Sequence, residues 1–333
     1  MKIKYKFDSP PHTGAIIDLY ISSALNGSTK NHEKIPMNTS LSSKRLSIKP
    51  LNTEDAMFIF ELLNTDGWIQ YIGDRNVHSL EDSLSYIQKI KDDPAINYWV
   101  VRLKKSGTPI GIISFVKRVY LDNPDIGFAF LPSFTGNGYA YESAKLVLEH
   151  VINNTGHAAI LGITIAENIA SIKLLKKLGL MFQKEIEVEK EKLLVYVLSK
   201  DKFHISEITR SFFSSFTNKK KSTPTLDLLR NISIPEILIV NRKESQPIRY
   251  TLDSFIEPRR KILTDGTLIE FEEKEIYNET KIANNKATRY SEYEKSGVLD
   301  GKPFTQRGHK LFQFIKVDQT WKISTVIWED NEN

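Results

Sequence analysis

The sequence predicts two α+β domains in one chain, and three observations predict them. Its 333 residues exceed one ordinary domain, since domains run at ~100–200 residues. Between residues 45 and 199, short alternating runs interleave with stretches of helical spacing and end in a strand–helix–strand–helix series. Beyond residue 203 the order inverts, with helical patterns first and long strand-like runs after them. The expected divisions are 1–42 as an N-terminal extension and linker, 43–202 as the first domain and 203–333 as the second.

Residues 45–51 alternate apolar and polar, the mark of a half-buried strand. Asn52 or Thr53 can cap the next helix, in which Ala56, Ile59, Phe60 and Leu63 recur at helical spacing. Leu80, Leu84 and Ile87 repeat that spacing over 79–90. Strand-like runs follow at 98–103, 110–116 and 125–131, the first two joined by a turn at 105–108. A helix is expected over 138–153, a strand over 159–165, a helix over 169–178, and strands over 184–189 and 193–198. Residues 26–43, rich in Asn, Ser, Thr and Lys, read as a linker. In the second domain, helices over 205–216, 226–232 and 252–263 precede strands at 268–277, 280–283, 287–294, 309–317 and 321–328, expected to form a curved antiparallel sheet. The run Lys219, Lys220, Lys221 reads as a solvated loop.

Composition removes several classes of function. With no cysteine, the chain has no disulfide, no thiolate metal site and no cysteine nucleophile, and no metal is expected. A net charge of +5, thinly spread, gives no basic patch for a nucleic-acid partner. The longest apolar run, 158–166, is under half the ~20 residues of a membrane span. Residues 1–7 are basic but precede no apolar stretch, so no secretory signal and no membrane partner are expected, and the reading is cytoplasmic.

The sharpest chemical signal lies in residues 125–142. A strand ends at Leu131, a short loop carries Gly136 and Gly138, and a helix begins at once. The unpaired N–H groups of that helix start and its positive dipole end suit an anion, and glycine lets a diphosphate approach the main chain. Glycine loops also serve simply to turn a chain. A second signal is Asn168 and Ser171 ahead of a helix that stops at Gly179. It reads as a capped helix in either case, and the functional reading adds that the two side chains face a cofactor.

Taken together, in this order, these stretches resemble the GCN5-related N-acetyltransferase (GNAT) superfamily, nearest the branch of ribosomal-protein-alanine N-acetyltransferases, over about residues 43–200. The resemblance implies a mixed-sheet α/β sandwich and direct acetyl transfer from acetyl-CoA to an amine acceptor, either a protein N-terminus or a small molecule. It implies that Phe130, Leu131, Phe134, Thr135, Gly136, Asn137, Gly138, Tyr139, Ala140, Asn168 and Ser171 hold acetyl-CoA in a gap between the strands ending at Leu131 and Ile165. An N–H near Phe130 would polarise the thioester. Asp125 is the candidate base and Ser171 the candidate acid for the leaving thiolate, with Trp68 and Tyr71 beside the acceptor. Two positions depart from the family: Ser133 where many members carry Gln or Arg, and Leu175 where many carry a tyrosine acid.

Residues 204–330 resemble the nuclear-transport-factor-2-like (NTF2-like), SnoaL-like superfamily, through stretches at 255–259, 264–271, 291–295 and 321–328. That resemblance implies a cone-shaped α+β domain serving ligand binding or a homodimer, whose pocket Arg259, His309 and Trp321 could line; the alternative puts His309 on a strand at the rim and Trp321 in the packing of the cone. Residues 1–36 resemble the first strand and helix of another GNAT protein, without the glycine loop. Two rival readings are a non-catalytic coenzyme A-binding scaffold and a SnoaL-like activity in the second domain.

Overall fold

The computed structural model describes residues 39–243 and 246–331 and divides the chain into two compact units, with the division between Lys200 and Asp201. The resemblance of residues 1–36 to a second acetyltransferase lies outside the described residues.

The first unit begins with β1 (Leu41–Ser42) and β2 (Leu46–Pro50), then α1 (Ala56–Leu63), α2 (Asp66–Tyr71) and α3 (Leu80–Asp92). Strands β3 (Ile96–Leu103), β4 (Pro109–Val116) and β5 (Asp125–Phe130) precede α4 (Tyr139–Asn154). Strand β6 (Ala159–Thr164), α5 (Ile169–Lys177), β7 (Met181–Val188) and β8 (Glu191–Ser199) complete it. The sheet order is β1-β2-β3-β4-β5-β6-β8-β7. Every pairing is antiparallel except that of β5 with β6.

Local chemistry sets the helix starts. Asn52 accepts from the Glu54 N–H at 2.7 Å while Asp55 accepts from the Asn52 N–H at 3.0 Å, a capping box just before α1. Ser79 caps α3 through the Asp82 N–H. Helix α3 buries Ser83, Tyr86, Ile87 and Ile90, leaving Leu80 and Leu84 exposed, so the apolar stripe expected from those leucines is displaced around the helix. Helix α2 is not among the expected elements: Thr65 caps it, and Gly67 is accommodated in its first turn. Ile59, Leu62, Trp68 and Ile87 of these helices join Val100 and Ile112 of the sheet in one core.

The second unit contains α6 (Lys200–Ser214), α7 (Leu228–Ile232), β9 (Ser233–Lys243), β10 (Gln246–Tyr250) and α8 (Leu252–Thr264). Four long strands follow: β11 (Leu268–Ala283), β12 (Lys286–Leu299), β13 (Lys302–Val317) and β14 (Thr320–Asp330). Their order is β10-β9-β14-β13-β12-β11. The expected all-antiparallel sheet is corrected at one joint, because β9 runs parallel to β14. Strand β11 is continuous where a break was expected at 278–279, since Asn278 and Glu279 pair with Ser291 and Tyr290 of β12. The Lys219 ammonium lies 2.8 Å from Glu272, and the Lys220 N–H donates to Glu270, so two members of the lysine run are met by carboxylates. Phe212, Phe255, Phe312 and Trp328 form the centre of this unit's core. Among the described residues no helix is long and apolar enough to cross a membrane.

Candidate active site

Strands β5 and β6 share a single Cα pair, Asp125 with Leu161, and the Leu161 N–H donates to Pro124 O at 2.9 Å beside it. Past that point the two strands are unpaired, while β5 stays zipped to β4 from Asp125 to Phe130. The sheet is therefore opened along one edge of β5. At its far end the Leu131 N–H donates to Ile110 O at 3.0 Å, toward β4. Main-chain groups alternate sides along a strand, so the Phe130 N–H points the other way, into the opening. The Phe130 ring lies over Gly111, where an added Cβ would come within 2.4 Å of it.

The chain leaves β5 through a single 3₁₀ turn, Pro132–Phe134, and enters α4 by way of Gly136 and Gly138. These glycines adopt φ of +77° and +78°, left-handed values that glycine takes without strain. The turn consumes two of the expected anion donors: the Phe134 N–H bonds Leu131 O and the Thr135 N–H bonds Pro132 O. The Leu131 side chain is buried in the core and its N–H is taken by Ile110, so Leu131, Phe134 and Thr135 hold the loop instead of offering amides. The N–H groups of Gly136, Asn137, Gly138, Tyr139 and Ala140 have no acceptor among the described residues. Five donors and a helix dipole thus converge beside the parted strands.

Arg45 adds a charge that local sequence patterns did not reveal. Its guanidinium donates to Glu142 Oε2 at 2.7 Å and to Asn137 O at 3.2 Å, and stacks 4.6 Å from the Tyr139 ring centre. Burial would raise the Glu142 carboxyl, but hydrogen bonds from Ser43 and Arg45 outweigh it and hold the carboxyl below its ordinary range. The side chain of Arg45 is nearly half exposed, so the guanidinium remains open to solvent at the loop.

The model of the family described as Acetyltransferase (GNAT) domain matches residues 45–181. This chain carries a GNAT acetyltransferase domain. The uncharacterized N-acetyltransferase YnaD of Bacillus subtilis (strain 168) is 29% identical over 140 residues, covering 42% of this chain and 81% of that protein. YoaA of the same organism, also an uncharacterized N-acetyltransferase, is 29% identical over 150 residues, covering 44% and 83%. The crystal structure of a GNAT-family acetyltransferase from Bacillus anthracis is 22% identical, covers 49% of this chain and 99% of that one, and has a TM-score of 0.43. The GNAT domain is an acyltransferase.

Asp125 is buried at 2% exposure in an ion pair with Arg118, Oδ1 to Nε at 2.7 Å and Oδ2 to Nη2 at 3.4 Å. Both oxygens are engaged, and the residue sits where β5 and β6 are still joined. The carboxylate expected to act as base is thus engaged by Arg118 at the closed end of the strand pair. Burial opposes the Arg118 charge, but Asp125 more than restores it, so Arg118 stays protonated. Asn168 uses its side-chain oxygen to cap α5, accepting from the Ser171 N–H at 3.0 Å. The Ser171 hydroxyl is half-buried in the first turn of α5, with no partner among the described residues. Leu175 is buried over Gly162, whose missing Cβ leaves room for it.

Trp68 and Tyr71 separate. Trp68 is in the core at 4% exposure, whereas Tyr71, at the end of the same helix, is 37% exposed. Helix α2 turns Trp68 inward, into one core with Leu62, Leu63 and Val77.

In the second unit Arg259 lines a cavity of about 310 Å³, but His309 and Trp321 do not. Strand alternation explains His309: Gly308, Lys310 and Phe312 are buried on one face of β13, and His309 points to the other, 3.7 Å from Glu329. Trp321 is core, its indole N–H donating to Asp201 at 2.8 Å.

Proposed function

We propose that the GNAT domain transfers the acetyl group of acetyl-CoA to a primary amine, a protein N-terminus or a small molecule, as in the ribosomal-protein-alanine branch it resembles. The observation that carries this reading is the opened edge of β5 with five unengaged amides at its end. Those amides and the open Arg45 guanidinium fit a diphosphate, and the opening fits an extended arm leading inward. When bound, acetyl-CoA supplies the acetyl group as a thioester; the acceptor nitrogen takes it and the C–S bond breaks as the thiol leaves.

The residues of the chain have distinct parts in this scheme. The Phe130 N–H, directed into the opening, stabilises negative charge developing on the carbonyl oxygen. The Ser171 hydroxyl is the donor for the departing thiolate. With Asp125 occupied by Arg118, the proton of the acceptor amine leaves through water. The second unit is read as an NTF2-like accessory domain, on its three helices and its six-stranded sheet of mostly long strands beside a cavity. A homodimer through that unit belongs to the same reading; light scattering tests it, and a monomer mass removes it.

The test is thiol release from acetyl-CoA by the full chain against a panel of peptide N-termini, polyamines and aminoglycosides. At least one amine should support turnover, and Gly138→Glu should abolish both turnover and the rise in melting temperature with acetyl-CoA. A melting shift without thiol release from any amine would contradict the transfer reading.

A further inference from the structure

The cavity of the second unit is lined mainly by apolar side chains, among them Phe212, Leu263, Phe271, Leu299, Phe304 and Trp328. Its volume of about 310 Å³ is at the small end of ligand pockets, which span ~300–1,000 Å³. Four charged groups also reach it: Arg259, Lys295, Lys310 and Glu273. Two of the cations are already neutralised. The Lys310 ammonium lies 2.6 Å from Glu273, both buried, and the Lys295 ammonium lies 2.6 Å from Asp330.

Arg259 is different. Its guanidinium packs 3.7 Å from the Phe255 ring centre, with Tyr250 and Trp328 further off at 5.5 and 5.6 Å. Of its five donors, Nη1 is used on Phe255 O at 2.9 Å and Tyr250 engages another, leaving donors free. No carboxylate lies within 4.0 Å among the described residues. A cation taken out of water into an aromatic box without a carboxylate in contact costs free energy; Glu273 and Asp330 act on it only through space, and burial outweighs them in lowering its tendency to hold the proton.

We propose that this cavity binds a small monocarboxylic acid with an aromatic or branched apolar body, its carboxylate on the Arg259 guanidinium and its body among the phenylalanines. A carboxylate takes two parallel hydrogen bonds from the planar fork, the pairing for which arginine is shaped. A single negative charge fits better than a dianion, because Glu273 lines the same space and the two lysines are already paired. The site is independent of acetyl transfer and stands whether or not the GNAT domain turns over.

Calorimetric titration of the full chain tests it, with 3-phenylpropionate as probe, its neutral amide as shape control and acetate as charge control. The carboxylate should bind one site per chain, with the amide and acetate at least tenfold weaker. Arg259→Met should lower the affinity at least tenfold, and Arg259→Lys should recover part of it. Phe304→Trp, which fills the cavity and leaves Arg259 in place, should also abolish binding, giving a second route if the arginine variant unfolds. Equal affinity for acid and amide, no binding of the acid, or undiminished binding to a folded Arg259→Met protein would each overturn the proposal.

Discussion

Arg118 Nε lies 2.7 Å from Asp125 Oδ1, an ion pair sealed at the point where β5 and β6 are still joined. Removing one partner of such a pair leaves a buried charge uncompensated, at about 3–5 kcal/mol. Asp125→Asn should therefore lower stability by that order in denaturant unfolding, while the folded variant keeps the shape of its pH–rate profile. A general base would behave oppositely, with stability kept and turnover down by ~10²–10⁴.

Arg45 and Glu142 make the complementary case, an exposed pair beside the loop. Exposed pairs contribute about 0–1 kcal/mol to stability, so Arg45→Gln should scarcely move the melting temperature. Its charge stands at Asn137 and Gly138, so the Michaelis constant for acetyl-CoA should rise several-fold while kcat holds. Steady-state kinetics with acetyl-CoA varied at saturating amine would separate the two parameters.

Asp330 ties the last strand of the second unit into its core. Burial would raise its carboxyl, yet hydrogen bonds from Lys295 and Tyr293 hold it below the ordinary carboxylate value. Its folded pKa is thus lower than its unfolded one, near ~3.9. The stability it contributes is complete above the unfolded value and is lost as pH falls through the folded one. Asp330→Asn should lower the melting temperature at neutral pH and flatten its fall below about pH 4. Melting curves of both proteins from neutral to acid pH check this, and parallel curves would remove Asp330 from the account.

The elements legible in the sequence are those whose signal is local. The alternation of β2, the Asn52 cap and the glycine loop before α4 each lie within one stretch of chain. What escaped depends on tertiary pairing. Arg45 meets Glu142 across 97 residues, and no spacing rule connects them. The Arg118–Asp125 pair was closer to reach, since the β4–β5 ladder sets Val116 opposite Asp125 and Arg118 follows two residues later. Strands β9 and β10 were missed, and β9 pairs with β14, far along the chain. His309 reads both as a pocket residue and as a rim residue of its strand, and the choice depends on strand register, which composition does not specify.

In the proposed function, main-chain amides at the start of α4 grip the diphosphate of acetyl-CoA beside the parted strands. Amide shifts of the labelled full chain during titration with coenzyme A test it most directly. The largest shifts are expected at Gly136, Asn137, Gly138, Tyr139 and Ala140, with Phe130 following as the arm enters the opening. Saturable binding that leaves those six amides unmoved would contradict it.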